Sequence, residues 1–193
     1  MDRPFVVVSG LPGSGKTTLA RQLAPALGLR LIDKDDILER LFESKGIGDA
    51  AWRRALSRES DVVLQNEAAA SSGAVLTSMW RVPGMAADSG TPTPWLLELS
   101  NMVVHVRCVC SPEIAAMRFM QRKRHVGHLD GSATFGDVLR GLRSQAHLGA
   151  LEIGPRVDVD TTGENDIDGL VGEIRAAFTR CLARFAADGG ERE

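Results

Sequence analysis

The sequence lacks the features that define several large classes of protein. It has three cysteines among 193 residues, Cys108, Cys110 and Cys181, which are too few and too unevenly spaced for a disulfide framework or a zinc site. No apolar run reaches the roughly 18 residues that a membrane-spanning helix needs. The apolar stretch Phe5–Val8 is too short for the core of a signal peptide. We therefore expect a cytoplasmic protein that is not attached to a membrane.

An excess of basic charge is also missing. Lysine and arginine together number 23 against 25 acidic residues, so the formal net charge is -2. This balance disfavours binding to nucleic acid through bulk electrostatics, although a local basic patch stays possible. Hydrophobic residues make up 44% of the chain, which is enough to fill a core at this length and excludes wholesale disorder. The length predicts a single domain over residues 1–193.

Strands and helices alternate along the chain. The apolar run Phe5–Ser9 is typical of a strand that is buried on both faces of a parallel sheet. Further strands are predicted at 30–33, 74–77, 103–109 and 156–160, and helices at 16–27, 35–42, 49–71, 95–99, 112–124, 135–148 and 166–186. The alternation predicts a three-layer α/β fold in which a parallel sheet of about five strands carries helices on both faces. Residues 80–94 form a long loop without periodicity, and loops of this length are often functional.

The most specific motif lies between the first predicted strand and the first predicted helix. Residues 10–17 read GLPGSGKT and match the phosphate-loop pattern G-x-x-x-x-G-K-[ST] without departure. The glycines allow successive backbone N–H groups to surround an anion, and the helix N-terminus points at the same place. Lys16 would reach the β- and γ-phosphates, and the Thr17 hydroxyl would bind Mg²⁺. The motif therefore predicts a site for a nucleotide and magnesium.

A cluster of acidic residues follows the second predicted strand. In an extended chain, Asp33 and Asp35 project to the same side. At the carboxyl end of a parallel strand, both would face the cleft where ligands bind. One carboxylate could orient hydrated Mg²⁺ while the other accepts a proton from an attacking hydroxyl. In the alternative interpretation, Asp35 or Asp36 only caps the next helix.

Together these motifs resemble those of the small P-loop kinases, a group with an AAA-type ATP-binding domain. It includes shikimate kinase, gluconate kinase, chloramphenicol phosphotransferase and the kinase domain of phage polynucleotide kinase. The resemblance rests on G-x-P-G-S-G-K-T-T at 10–18 and D-x-D-D at 33–36, and later segments extend it over most of the chain. It implies a P-loop NTPase fold with ATP and Mg²⁺ as cofactors. It also implies that Asp35 is the general base and that Asp33 lies on the magnesium side.

The resemblance further implies a small lid at roughly 118–133, whose arginines stabilise the charge of the transferring phosphoryl group. Arg118 and Arg122 are four residues apart and would share a helical face. Arg118 would stack on the adenine, and Arg122 or Arg124 would contact the phosphates. A solvent-exposed basic face is the alternative for these arginines. The loop that carries Thr161 and Thr162 resembles the adenine-edge loop of the family.

The predicted site residues fall into four groups. The nucleotide would be bound by Gly10, Pro12, Gly13, Ser14, Gly15, Lys16, Thr17, Thr18, Arg118, Arg124, Thr161 and Thr162. Lys16, Asp35 and Arg122 would be catalytic, and Thr17 and Asp33 would bind the metal. The acceptor would contact Asp35, Arg58 and Arg81, with helices at roughly 35–72 on the substrate side. For Arg58 the alternative is an ordinary surface arginine, and for the loop around Arg81 it is anchoring in the core.

The third predicted strand ends without an acid, since residues 74–78 read AVLTS. This departure disfavours an AAA⁺ motor or a GTPase, both of which depend on an aspartate there. We predict a kinase that transfers the γ-phosphate of ATP to a hydroxyl of a small molecule. Two alternatives stay open. A polynucleotide 5′-hydroxyl kinase fits the acidic motif but is less favoured by the net charge, and a nucleotide-dependent regulatory module would hydrolyse ATP slowly and act through a partner.

Overall fold

Strands and helices alternate throughout the fold, as the sequence predicts. The computed structural model describes residues 3–189. Its strands are β1 Phe5–Gly10, β2 Arg30–Asp33, β3 Ala74–Thr77, β4 Val103–Val109 and β5 Arg156–Asp160. Its helices are α1 Lys16–Leu27, α2 Lys34–Lys45, α3 Ala50–Ala70, α4 Pro94–Leu99, α5 Pro112–Gln121, α6 Phe135–Ala146 and α7 Ile167–Gly189. Among these residues, no helix combines the length and the apolar character needed to cross a bilayer.

The five strands form one parallel sheet in the order β2-β3-β1-β4-β5. Residues 5–8 of the central strand β1 are all apolar, since they are fully buried between two layers of helices. All the strands point the same way, so their carboxyl ends share one edge of the sheet, where ligands bind in open α/β folds. The predicted three-layer α/β fold is confirmed.

Alternate residues of β1 enter two different hydrophobic cores. Val6 and Val8 pack with residues of α1 and α7 on one face of the sheet. Phe5 and Val7 pack with residues of α3 and α4 on the other face, together with Trp80 from the loop that follows β3. The two-residue period of the strand therefore divides a single apolar run between the two cores.

The predicted helix 112–124 is too long. Helix α5 ends at Gln121, and Arg122 follows it with extended backbone angles (φ −73°, ψ 137°). Arg122 and Arg124 therefore lie in the lid, and Arg118 and Arg122 do not share a helical face. The cause is tertiary, because Arg124 leaves the helix direction to pair with Asp35 and Asp130 and these contacts override local helix propensity.

A histidine lies inside the core of the central sheet. The His105 side chain is fully buried on β4, and its Nε2 is 2.6 Å from the hydroxyl oxygen of Ser9. Burial, together with the nearby charges of Arg156 and Arg107, lowers the pKa of His105 to about 4. The ring is therefore neutral at physiological pH, and protonating it in the folded state is unfavourable.

This histidine should make the free energy of unfolding depend on pH. The unfolded chain takes up a proton near pH 6.5, whereas folded His105 stays neutral until about pH 4. Its contribution is therefore complete above pH 6.5 and is lost as the pH falls toward 4. Urea unfolding at pH 7 and pH 5 should show roughly 2 kcal/mol less stability at pH 5 from this group. His105→Gln should remove that loss, whereas the control His147→Gln, on an exposed residue, should retain it. Equal losses in the two variants would contradict the prediction.

Candidate active site

The phosphate loop connects β1 to α1 and encloses a space lined by backbone amides. Gly15 precedes α1 with φ 91°, and Gly13 has φ 83°, a conformation that glycine adopts without strain. A Cβ at Gly13 would also overlap the carbonyl oxygen of Ala115 on α5. The glycine pattern therefore reflects both the turn itself and its close contact with a neighbouring helix.

Lys16 lies across the mouth of this loop. Its ammonium donates hydrogen bonds to the carbonyl oxygens of Gly10 and Leu11, each at 3.0 Å. Burial lowers the pKa of Lys16, and the negative charge of Asp35 opposes that shift. An ammonium has three donors, and within residues 3–189 only two of them have partners. The third donor is available to an anion that enters the loop.

Thr17 and Asp33 form the oxygen-rich side of the site. The Thr17 hydroxyl donates to Asp33 Oδ2 at 2.9 Å, and Asp33 Oδ1 accepts from the backbone N–H of Asp35 at 2.9 Å. Burial raises the pKa of Asp33 to about 6, although these hydrogen bonds oppose the shift. A bound cation would therefore favour the ionised form of this carboxylate.

Magnesium suits this pair of residues. The hydroxyl and carboxylate oxygens are hard ligands, the type that Mg²⁺ prefers. The described part of the chain holds no cluster of three or more His, Cys, Asp or Glu residues that could bind a metal. A cation held by Thr17 and Asp33 would therefore take its other ligands from water and phosphate, as Mg²⁺ commonly does.

The acidic motif is not extended, which corrects the expectation that Asp33 and Asp35 project to the same side. Asp33 is the N-cap of α2, and Asp35 and Asp36 lie in the first helical turn. The capping role considered for Asp35 or Asp36 therefore belongs to Asp33. Asp36 is exposed and lies 3.7 Å from Arg21. Helix α2 begins at Lys34 because the Asp33 carboxylate accepts the free N–H group of its first turn.

Asp35 is the second carboxylate at this edge of the sheet. Its Oδ2 accepts a hydrogen bond of 2.5 Å from the Arg124 guanidinium. Burial alone would raise the pKa of Asp35, but the charges of Arg124 and His128 outweigh burial and hold it below its usual value. Its Oδ1 accepts no hydrogen bond from the described residues. Asp35 is thus an ionised carboxylate, and its Oδ1 has no hydrogen-bond donor among the described residues.

The lid rests on α2, the helix that carries Asp35. The His128 side chain lies 2.9 Å from Glu39, and the Phe42 ring contacts both His125 and His128, at centroid distances of 5.3 and 5.5 Å. Gly127 lies so close to the Phe42 ring that a Cβ would overlap it. The predicted lid segment therefore packs along α2 as far as Phe42.

The lid arginines have separate partners. Arg124 donates to Asp130 at 2.7 Å as well as to Asp35. Arg122 lies 3.9 Å from Asp130, with its guanidinium 4.4 Å from the centre of the Phe119 ring. Both cations therefore lie beside the acidic motif and outside α5, and the contact of Arg122 or Arg124 with the phosphates stays a prediction.

Arg118 connects α5 to the loop after β5. Its guanidinium donates to the carbonyl oxygens of Thr161 and Thr162 at 2.8 and 2.9 Å. The Thr161 hydroxyl in turn donates to the carbonyl oxygen of Ser14 at 2.7 Å. Three of the residues predicted to border the adenine are thus brought together beside the phosphate loop.

The structure does not bring the two predicted acceptor arginines to this centre. Arg58 is exposed on α3 and makes no hydrogen bond or ion pair with the described residues. The guanidinium of Arg81 donates to the carbonyl oxygens of Ser89 and Gly90, at 2.8 and 3.3 Å. Arg81 therefore stabilises its own loop, so contact of either arginine with an acceptor stays a prediction.

A buried ion pair under the acidic motif was not predicted. The Lys34 ammonium lies 2.5 Å from Asp61 on α3 and donates to the Thr91 hydroxyl at 3.1 Å. Thr91 donates to Asp61 at 2.7 Å and lies 2.6 Å from the Ser78 hydroxyl. The network connects α2, α3 and the loop after β3. Its only sequence signal is a lysine between two aspartates in a chain with four lysines.

Breaking this pair should destabilise the fold more than replacing it. Lys34→Met leaves the Asp61 carboxylate buried without its cation, which should cost about 3–5 kcal/mol of unfolding free energy. The double variant Lys34→Met/Asp61→Leu removes both charges and should recover most of that loss. Urea unfolding of both variants checks this. A double variant no more stable than the single one would contradict it.

Comparison with known proteins agrees with the small P-loop kinase family that the sequence motifs indicate. The family model described as an AAA domain, AAA_33, matches residues 5–139. Threonine synthase-like 1 from Mus musculus is 32% identical over 142 residues, which are 72% of this chain and 18% of that protein. Shikimate kinase from Corynebacterium glutamicum is 40% identical over 73 residues, which are 37% of this chain and 43% of that enzyme. The chain thus spans less than half the length of these curated relatives.

A solved structure covers nearly the whole fold. A protein from Chloroflexus aurantiacus J-10-fl, whose own assignment as a kinase is provisional, superposes with a TM-score of 0.76 at 27% identity. The match covers 92% of this chain and 99% of that one. Because the family model spans most of the chain and includes its phosphate loop and acidic motif, the protein belongs to this AAA-domain family, among the small P-loop kinases.

Proposed function

We propose that the protein is an ATP-dependent phosphotransferase that transfers the γ-phosphoryl group of ATP to a hydroxyl of a small molecule. The observation that carries this proposal is the position of Asp35. Its ionised carboxylate, with one free oxygen, lies near the Lys16 ammonium and is bound by a lid arginine. A carboxylate that faces a phosphate-binding lysine is suited to accept a proton from an attacking hydroxyl.

In this proposal, separate groups of residues bind the phosphates and the adenine of ATP. The loop amides and the third Lys16 donor bind the β- and γ-phosphates. Thr17 and Asp33 hold Mg²⁺, which when bound neutralises part of the phosphate charge. Arg118, fixed by the carbonyl groups of Thr161 and Thr162, supports the adenine side.

The transfer step needs a base and a cation from this chain. As the acceptor oxygen bonds to the γ-phosphorus, the bond from that phosphorus to the bridging oxygen of ADP breaks, and its electrons leave with ADP. The hydroxyl proton passes to Asp35. Arg122 and Arg124 lie beside the same carboxylate and stabilise the negative charge on the transferring group.

The names of several curated relatives and the absence of a carboxylate at the end of β3 support this proposal. The curated relatives include shikimate kinases and a cytidylate kinase, all enzymes that phosphorylate small molecules by their names. The residues at the end of β3, Thr77 and Ser78, carry no carboxylate, whereas motors and GTPases use one there. Ser78 is instead part of the Lys34 network.

The test is ATP consumption with Mg²⁺ in the presence of separate acceptor pools. One pool holds uncharged hydroxyl compounds, a second holds hydroxy acids, and a third arm uses a 5′-hydroxyl oligonucleotide. Stimulation by a small-molecule pool supports the proposal. Stimulation by the oligonucleotide alone would instead identify a polynucleotide kinase. ATP binding without stimulation in any arm would favour the regulatory alternative.

A further inference from the structure

A cleft opens at the carboxyl edge of the sheet, directly beside the phosphate loop. Its volume is about 190 Å³. The ends of β1 and β4 form its floor, and the segments 79–85 and 145–151 contribute its walls. A dry cavity of roughly 150 Å³ holds one benzene molecule. The cleft therefore suits a single ring that carries one or two substituents.

The walls of the cleft expose only slightly more apolar than polar surface, and the described residues that line it carry no unpaired charge. Large apolar side chains line it, namely Met79, Trp80, Val82, Met85, Leu148 and Leu151. The one charged lining residue is Arg107, and both arms of its guanidinium bind Asp158, at 2.9 and 2.6 Å. A ligand carboxylate or phosphate would find no free cation here, and burying an unpaired anion is costly.

Polar groups on the floor can still recognise a hydroxyl. Ser9 and the neutral His105 ring are bonded to each other at 2.6 Å. The other ring nitrogen, His105 Nδ1, is fully buried, and the Leu151 backbone beside the ring also lines the cleft. Buried polar atoms are nearly always paired in folded proteins. A ligand hydroxyl can pair with the hydroxyl of Ser9, which lines the cleft, because hydroxyl groups both donate and accept.

The cleft reaches the residues that hold the catalytic lysine. Gly10 and Leu11 line it, and their carbonyl oxygens bind the Lys16 ammonium. The cleft therefore borders the start of the phosphate loop. Trp80 lines the opposite wall and is fixed by its indole N–H, which donates to Val8 at 2.9 Å.

We infer that this cleft receives the acceptor, and that the acceptor is an uncharged, single-ring hydroxyl compound. The inference rests on the proposed phosphotransferase function and adds the substrate class. It excludes hydroxy acids and oligonucleotide ends, because each would bring an anion against walls that offer no unpaired cation. The two arginines that could have served an anion are elsewhere, since Arg58 is exposed and Arg81 binds its own loop.

Binding of small probe molecules tests the chemical preference of the cleft independently of turnover. Benzyl alcohol is the uncharged probe and benzoate is its anion of similar size, and both are measured by ligand-observed NMR. Benzyl alcohol should bind at least about 30-fold more tightly than benzoate because of the cost of burying the unpaired carboxylate. Ala150→Phe should abolish binding of benzyl alcohol by filling the cleft. The control Ala51→Phe, on an exposed residue of α3, should bind it normally.

A charge introduced into the wall should reverse the preference. Gln145 lines the cleft, so Gln145→Arg should increase benzoate binding at least tenfold and weaken that of benzyl alcohol. ATP titration of each variant shows that the fold and the nucleotide site are intact. Equal binding of the two probes to the unmodified protein, or normal benzyl alcohol binding by Ala150→Phe, would overturn the inference.

Turnover measurements distinguish failure of this inference from failure of the proposed function. Under the inference, uncharged ring alcohols stimulate ATP consumption, hydroxy acids do not, and Ala150→Phe raises the acceptor KM while leaving the ATP KM unchanged. Stimulation by hydroxy acids alone would confirm a kinase and overturn the substrate class. If no acceptor is phosphorylated although the binding arms behave as expected, the proposed function fails, and with it the acceptor role, while the cleft remains a binding site.

Discussion

Asp35→Asn should lower the turnover number by roughly 10²–10⁴-fold, the usual contribution of a general base. Asparagine has the same shape and can still accept a hydrogen bond from Arg124, but it cannot take the proton of the acceptor hydroxyl. ATP affinity should be unchanged or slightly higher, because the variant removes a negative charge near the phosphate site. Steady-state kinetics with saturating acceptor, together with an ATP titration, measure both quantities.

Asp36→Asn is the matched control for this variant. Asp36 lies one residue farther along α2, is exposed, and pairs only loosely with Arg21, at 3.7 Å. Its substitution should leave turnover and ATP affinity unchanged. Wild-type turnover in Asp35→Asn would remove the general-base role, and a parallel loss in both variants would point to damage to the helix.

Lys16→Met should weaken ATP binding at least about 100-fold, since the charged hydrogen bonds to the β- and γ-phosphates are lost. Methionine keeps much of the apolar length of the side chain, so the loop should retain its packing. Lys45→Met is the control, because Lys45 is exposed at the end of α2 and, among residues 3–189, bonds only to Glu59. Calorimetric titration with ATP and Mg²⁺ measures the effect. Tight binding by Lys16→Met would refute the role of the phosphate loop.

Much of the fold could be predicted because its signals are local. The buried strands are short apolar runs bounded by glycine or polar residues, and four of the five strands have the predicted limits. The end of α5 could not be predicted in this way. Helix propensity favours continuation past Gln121, and the contact that draws Arg124 away joins it to Asp35, 89 positions earlier in the chain.

In the candidate site too, features that depend on neighbouring residues could be predicted, and features that depend on distant contacts could not. The phosphate loop could be predicted in detail because its conformation depends on consecutive residues and their glycines. The acidic motif could be located, but the capping role of Asp33 depends on where α2 begins. The Lys34 network was missed because Thr91 follows 57 positions later. Likewise, the partners of Arg81 become evident only when its loop has folded back on itself.

The hydrogen bond from Thr161 to Ser14 has a consequence during synthesis of the chain. The phosphate loop is synthesised well before residues 160–162, so its wall is completed only when those residues have emerged and β5 has joined the sheet. ATP that binds only the completed site cannot stabilise a nascent chain that stops earlier. Under the proposed function, ATP therefore stabilises only chains in which β5 has joined the sheet, whereas translation products that stop before residue 160 gain no such stabilisation.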